Sequence, residues 1–142
     1  MKFKTDFVTN SSSTSFVIWG TEIEKGKIRE KLGDRIFEFF KKSKYYKGES
    51  KDQFLNGDLF HEYFEDYISE IEKNLSVHGG YYTNYYTIGQ GPEVMKDDQT
   101  LWEFKEQVAQ MILNVGILVL PEKITFQVVC ETDNQDSTIN LV

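Results

Sequence analysis

Apolar residues recur along this chain at two spacings, and the places where one gives way to the other predict its elements. Residues 2–8 and 15–20 read as two short strands, the second an unbroken Phe16-Val17-Ile18-Trp19 run stopped by Gly20. Thr21-Glu22-Ile23-Glu24 has capping-box spacing and predicts a helix start with Thr21 as N-cap. That helix carries Ile28 and Leu32 on one side and stops at Gly33, a residue suited to a left-handed C-cap. Asp34 then caps a short apolar helix through Ile36, Phe37, Phe39 and Phe40, closed by Lys41 and Lys42, whose charges complement the helix dipole. Residues 43–53, polar and Lys-rich, read as an exposed loop.

The strongest helical period follows. Phe60, Tyr63, Phe64, Tyr67, Ile68, Ile71 and Leu75 fall at three- and four-residue spacings behind a candidate N-cap, Asp58. Val77-His78-Gly79-Gly80 ends this helix, with His78 placed to suit its C-terminal dipole. Residues 81–88 read as a strand of aromatics and Thr. A tight hairpin at Thr83-Asn84 is disfavoured, because no glycine there supplies the positive φ. Gly89-Gln90-Gly91-Pro92 reads as a loop. A second capping box, Thr100-Leu101-Trp102-Glu103, launches a helix with Leu101, Phe104, Val108, Met111, Ile112 and Val115 inward and Gly116 as its stop. Residues 124–131 alternate as a strand that places Cys130 on the core face of Ile124, Phe126 and Val128. Residues 133–136 turn, and residues 137–142 read as a closing edge strand. This order predicts an α+β chain: one two-layer domain over residues 1–142, its sheet mainly antiparallel or mixed, its helices packed on one face.

Composition supports a folded globule and narrows the chemistry. The chain has 142 residues, 11 Phe, 8 Tyr and 2 Trp, ample material for a core. A single cysteine, Cys130, excludes an internal disulfide framework and fits a reducing compartment. The start of the chain alternates charged and polar residues where a secretory signal needs an apolar stretch. Ile117-Leu118-Val119-Leu120, the longest aliphatic run, is far short of the roughly 20 residues a membrane helix needs. The expectation is a cytoplasmic protein with no membrane association. The net charge of −7 is unevenly spread: residues 25–51 hold ten basic and four acidic side chains, and residues 52–142 hold four and sixteen. Such acidity disfavours a general nucleic-acid coater, whereas a bipolar surface suits a charged protein partner.

Several groups could carry chemistry. Asn10, Ser11, Ser12 and Ser13 open a hydroxyl tract that could donate to an anion or a peptide carboxylate. Its ordinary role is a turn whose side chains satisfy their own backbone. A serine nucleophile also needs a base, and only His61 and His78 are available, with no Gly-x-Ser-x-Gly elbow. Neither histidine has a His or Cys partner at metal spacing, and His61 reads as a solvated surface residue. Asp133, Asp136 and Glu131 miss the spacing of a calcium loop. Gly89-x-Gly91 lacks the lysine and helix of a phosphate loop. No metal, cofactor or catalytic set is expected.

Three surfaces remain. Glu62, Glu65, Asp66 and Glu70 form the outer stripe of the acidic helix, able to occupy a basic groove on a partner. Tyr81, Tyr82, Tyr85 and Tyr86 lie on a strand that buries one face, so two of them should be free for protein contact. Lys41, Lys42, Lys44, Tyr45, Tyr46 and Lys47 interleave cations with rings, as a nucleic-acid-binding loop does, although a solvated loop has the same composition.

The opening Thr5-Asp6-Phe7-Val8-Thr9-Asn10-Ser11-Ser12-Ser13-Thr14-Ser15-Phe16 resembles the N-terminal signature of a scattered set of small proteins from Firmicutes, their phages and other mobile elements. Thr14 interrupts the serine run usual in that set. Gly91-Pro92-Glu93-Val94 and the Thr100-Leu101-Trp102-Glu103-Phe104-Lys105 segment are also similar to a helix near the C-terminus of some members. The resemblance implies a mobile-element context and no catalytic residue. The reading favoured by residues and resemblance together is a non-enzymatic interaction protein, an inhibitor or modulator of a host protein machine such as a defence system. A nucleic-acid or nucleotide-binding module using the Lys41–Lys47 loop is the alternative. An enzyme acting through the Ser/Thr tract ranks third.

Overall fold

Strand pairing, rather than local capping, organises the first half of the chain. The computed structural model describes residues 2–3, 14–80, 83–131 and 136–140. Its elements are β1 (Lys2–Phe3), β2 (Thr14–Glu24), α1 (Lys25–Lys41), α2 (Lys51–Leu55), α3 (Leu59–Ile71), β3 (Ser76–Gly79), β4 (Tyr85–Gln90), α4 (Leu101–Asn114), β5 (Thr125–Glu131) and β6 (Asp136–Asn140). The sheet is antiparallel at every described pairing, ordered β3-β4-β2-β5-β6, with β1 against β2. The helices pack on one face of it, which makes the α+β two-layer domain expected from the pattern of elements.

The segment 21–24 is strand, not the start of a helix. Its residues pair with residues 85–88, and this ladder outweighs the local capping-box spacing. The N-cap of α1 is instead Glu24, which makes no side-chain capping bond. The two short helices expected around Gly33 are one helix of 17 residues. Gly33 is buried inside it because a Cβ there would sit 3.2 Å from Leu55 Cδ1 of α2. An interior glycine costs a helix about 1 kcal/mol relative to alanine. Burial of Ile28, Leu32, Ile36 and Phe40 outweighs that.

The expected 43–53 loop ends in α2, started by a capping box in which Ser50 and Gln53 bond each other's backbone amides. Its Phe54 stacks on Phe40 with centroids 4.5 Å apart. α3 stops at Ile71, and Leu75 reaches the core from the turn beyond. The Asp58 side chain makes no capping bond at its start. His78, expected at a helix end, lies in β3 opposite Thr87. β3 and β4, adjacent in the chain, pair antiparallel as a hairpin. The positive φ comes from Gly79 (+79°) and Gly80 (+83°), ahead of the Thr83-Asn84 pair. Gly89 and Gln90, expected in a loop, belong to β4. The Thr100–Glu103 capping box and the Gly116 stop (φ +111°) stand as expected, but Leu101 is exposed and Met111 only partly buried. The turn expected at 133–136 and the far end of the last strand fall mostly outside the described residues.

Odd-numbered β2 residues, with their partners on β4 and β5, face the helices. Trp19, Ile23, Tyr86 and Ile88 join Ile28, Leu32, Phe64, Ile68, Phe104, Val108 and Ile112 there. The opposite face is buried as well at Ile18, Thr87, Gln127 and Val129. The sheet curls until β6 comes against β3, and this accounts for a face that a flat sheet would expose. Gly20 and Gly89 face each other where the β2 and β4 backbones come close. An added Cβ at either would fall 2.1 Å from Ile88 O or 2.2 Å from Trp19 O. Cys130 is half-buried, with Sγ 3.3 Å from Ser15 Oγ. No helix among the described residues is long and apolar enough to cross a membrane.

Candidate functional site

The acidic stripe and the basic loop, far apart in sequence, meet in space. α3 projects Asp66 and Glu70 outward, because Tyr63, Phe64, Tyr67 and Ile68 at the complementary positions are drawn into the core. α1 ends at Lys41, and the turn that follows carries Lys42, Ser43, Lys44 and Tyr45 past the same side of α3. Between them lies a groove of about 560 Å³, acidic on one wall and basic on the other. Its floor is aromatic: Phe39 stands edge-on to Tyr63, centroids 6.3 Å apart, and Tyr63 Oη donates to Ser43 Oγ at 3.1 Å. Tyr45, 60% exposed, forms the lip, with Lys44 Nζ 5.2 Å from its ring centroid.

The remaining stripe and loop residues divide. Glu62 is exposed on α3 beyond the groove, and Glu65 is half-buried with Oε1 3.7 Å from His61 Nε2. His61 is therefore no solvated surface residue: it stacks on Tyr86, centroids 5.7 Å apart, at 19% side-chain exposure. Lys41 is engaged by Glu38 at 2.7 Å and lies over the Phe37 ring. Its hydrogen bond to Glu38 raises its pKa. Tyr46 is half-buried, edge-on to Phe40 at 5.5 Å and Phe37 at 6.2 Å, so its ring is not available to stack on a base. The Lys47 amide donates to Glu49 Oε1.

The tyrosine row is corrected in part. Tyr86 is wholly buried on the helix side of β4, opposite Ile23, with Phe64 against its ring at 4.6 Å. Burial raises the pKa of its hydroxyl; the Arg29 charge lowers it by less, and Glu65 adds to the rise. Tyr85 is half-buried, and Tyr81 and Tyr82 lie outside the described residues. The premise that β4 buries one face only does not hold, since Thr87 on the other side is also buried. Asn10, Ser11, Ser12 and Ser13 lie outside the described residues.

Two features escaped the sequence reading. One is a groove of about 640 Å³ along β2 where β5 no longer pairs with it, flanked by Lys27, Lys31 and Lys123 and by the exposed Leu118 and Leu120. The other is a small polar cavity between the starts of α1 and α3, lined by Lys25, Arg29, Asp58, His61 and Tyr86. The four-residue spacing of Lys25 and Arg29 was its one legible sign, and the misplaced helix start concealed it. Among the described residues no group of three His, Cys, Asp or Glu side chains is arranged to hold a metal ion. No protein family, curated protein or solved structure matches the chain.

Proposed function

We propose that the chain is a non-enzymatic interaction protein that docks a partner protein in the groove between α3 and the 42–45 turn. The observation that carries this reading is the facing of Asp66 and Glu70 by Lys42 and Lys44 across an aromatic floor. Opposed charges over buried rings suit a protein segment bearing both signs, with Phe39, Tyr45 and Tyr63 as the apolar anchors typical of contact centres. The same arrangement disfavours a nucleic-acid backbone, because the carboxylates of the acidic wall would repel phosphates drawn to Lys42 and Lys44. The resemblance of the N-terminal signature supports a mobile-element context, with a host machine, such as a defence system, as the target to be inhibited or modulated. A cytoplasmic location goes with that role.

The test is affinity capture from host lysate with wild-type protein, D66K/E70K and K42E/K44E. One stoichiometric protein should be retained by wild type and lost by both variants. Retention by both variants, or loss only in K42E/K44E with RNA recovered from the wild type, would overturn the reading.

A further inference from the structure

α1 and α3 begin beside each other, and neither N-cap residue, Glu24 or Asp58, makes a side-chain capping bond. The positive ends of two helix dipoles therefore point at one place, with the Lys25 amide of α1 taken by the Asn84 carbonyl and Glu62 in the first turn of α3. Between them is the cavity of about 140 Å³ lined by Lys25, Arg29 and Tyr86. Tyr86 has no accessible surface, yet its hydroxyl has no hydrogen-bond partner, and Arg29 Nε is buried and equally unpaired. Native structures leave few such groups unsatisfied, and each that remains calls for an explanation.

Charge sharpens the case. No carboxylate among the described residues forms an ion pair with Lys25 or Arg29. Burial, and then the Arg29 charge, lower the pKa of Lys25. Arg29 rests on the Phe60 ring, 5.8 Å from its centroid, which fixes the guanidinium without neutralising it. The other titratable groups nearby are Asp58 and His61, which also line the cavity, and Glu65, whose Oε1 lies 3.7 Å from His61 Nε2. Gly80 lets the hairpin close over the phenol: a Cβ there would lie 2.0 Å from Tyr86 Cε1.

We propose that this cavity binds the phosphate group of a small phosphate monoester, held by the Arg29 guanidinium, the Lys25 ammonium and the Tyr86 hydroxyl at the N-terminal ends of α1 and α3. Two full positive charges, a neutral donor and two helix dipoles match a tetrahedral dianion. The volume admits the phosphate and little else, so the esterified group projects toward solvent.

The full chain is titrated by calorimetry with inorganic phosphate and with methyl phosphate at matched ionic strength, and melted in their presence. Both anions should bind saturably at one site, methyl phosphate at least as tightly. Arg29→Gln should weaken binding by about tenfold or more, the loss expected for a hydrogen bond between charged groups. Asp58→Asn, which removes the repelling carboxylate, should tighten it. Tyr86→Phe supplies the crossed result: without ligand it should melt no lower than wild type, since it removes a buried hydroxyl that has no partner, yet show a smaller rise in Tm with methyl phosphate. Absence of saturation by either anion overturns the proposal. So does wild-type affinity in Arg29→Gln, or a Tyr86→Phe difference identical with and without ligand, as a cavity filled by water alone would give. Binding of inorganic phosphate with methyl phosphate excluded overturns the monoester assignment.

Discussion

Replacing Gly20 by alanine tests the close approach of β2 and β4. An ideal Cβ at Gly20 lies 2.1 Å from Ile88 O, 2.8 Å from Ile88 C and 2.9 Å from Gly89 Cα, all backbone atoms of the paired strand. No rotamer change relieves such a contact, so β2 and β4 must separate. Overpacking in a core typically costs about 1–3 kcal/mol, and a clash with paired backbone falls at or above the top of that range. About 3 kcal/mol is a large part of the 5–15 kcal/mol net stability of an ordinary domain. It corresponds to a rise of roughly 100-fold in the unfolded fraction. Gly26, in the first turn of α1, is the control: a Cβ there meets nothing within 4 Å. Gly26→Ala should therefore stabilise by about 0.4–1 kcal/mol, chiefly by restricting the unfolded chain. Urea denaturation followed by tryptophan fluorescence reads both, since Trp19 adjoins Gly20 and stands edge-on to Phe126 at 5.3 Å. A Gly20→Ala midpoint equal to wild type would refute the close approach. Equal damage from Gly26→Ala would show that loss of glycine as such, rather than the strand contact, is responsible.

Other outcomes follow from the packing and the titrations. Phe40→Ala, which removes a fully buried ring stacked on Phe54 and edge-on to Tyr63 at 4.8 Å, should cost about 3–5 kcal/mol in thermal or chemical melts. Thr100→Ala should cost about 1 kcal/mol through loss of the Glu103 amide partner, measured as a lower urea midpoint. The Thr100 backbone and hydroxyl hold the Glu103 carboxyl below its ordinary value of 4.5. That contribution is present above this value and lost as the pH falls through the lowered one, so wild type and Glu103→Gln should converge in acid. Tyr86 has the opposite sign. Its pKa is raised from an ordinary value of 10.0, so its stabilisation is complete below that value and declines as the pH rises above it. Tyr86→Phe should flatten the alkaline limb of a stability–pH profile.

The amino-acid sequence alone determined the class of fold, the amphipathic α3 and α4, the Thr100 start and the Gly116 stop. These features are fixed by interactions within a turn or two of helix, and composition supplied the aromatic core. Three errors share one cause. Thr21–Glu24 satisfied a helix-start spacing, Gly33 a helix stop and Tyr86 a surface strand position, yet each was reassigned by partners distant in sequence: Tyr86 and Ile88 for β2, Leu55 for Gly33, and Ile23 and Phe64 for Tyr86. Tertiary structure also brought Asp66 and Glu70 opposite Lys42 and Lys44, and Lys25 and Arg29 around the Tyr86 hydroxyl. The charges and rings of both places were present in the sequence, but which of them share a groove depends on how α1, α3 and the β3–β4 hairpin pack. Local spacing sets which segments can become helix or strand; burial of side chains against non-local neighbours decides which do, and which groups end up facing one another.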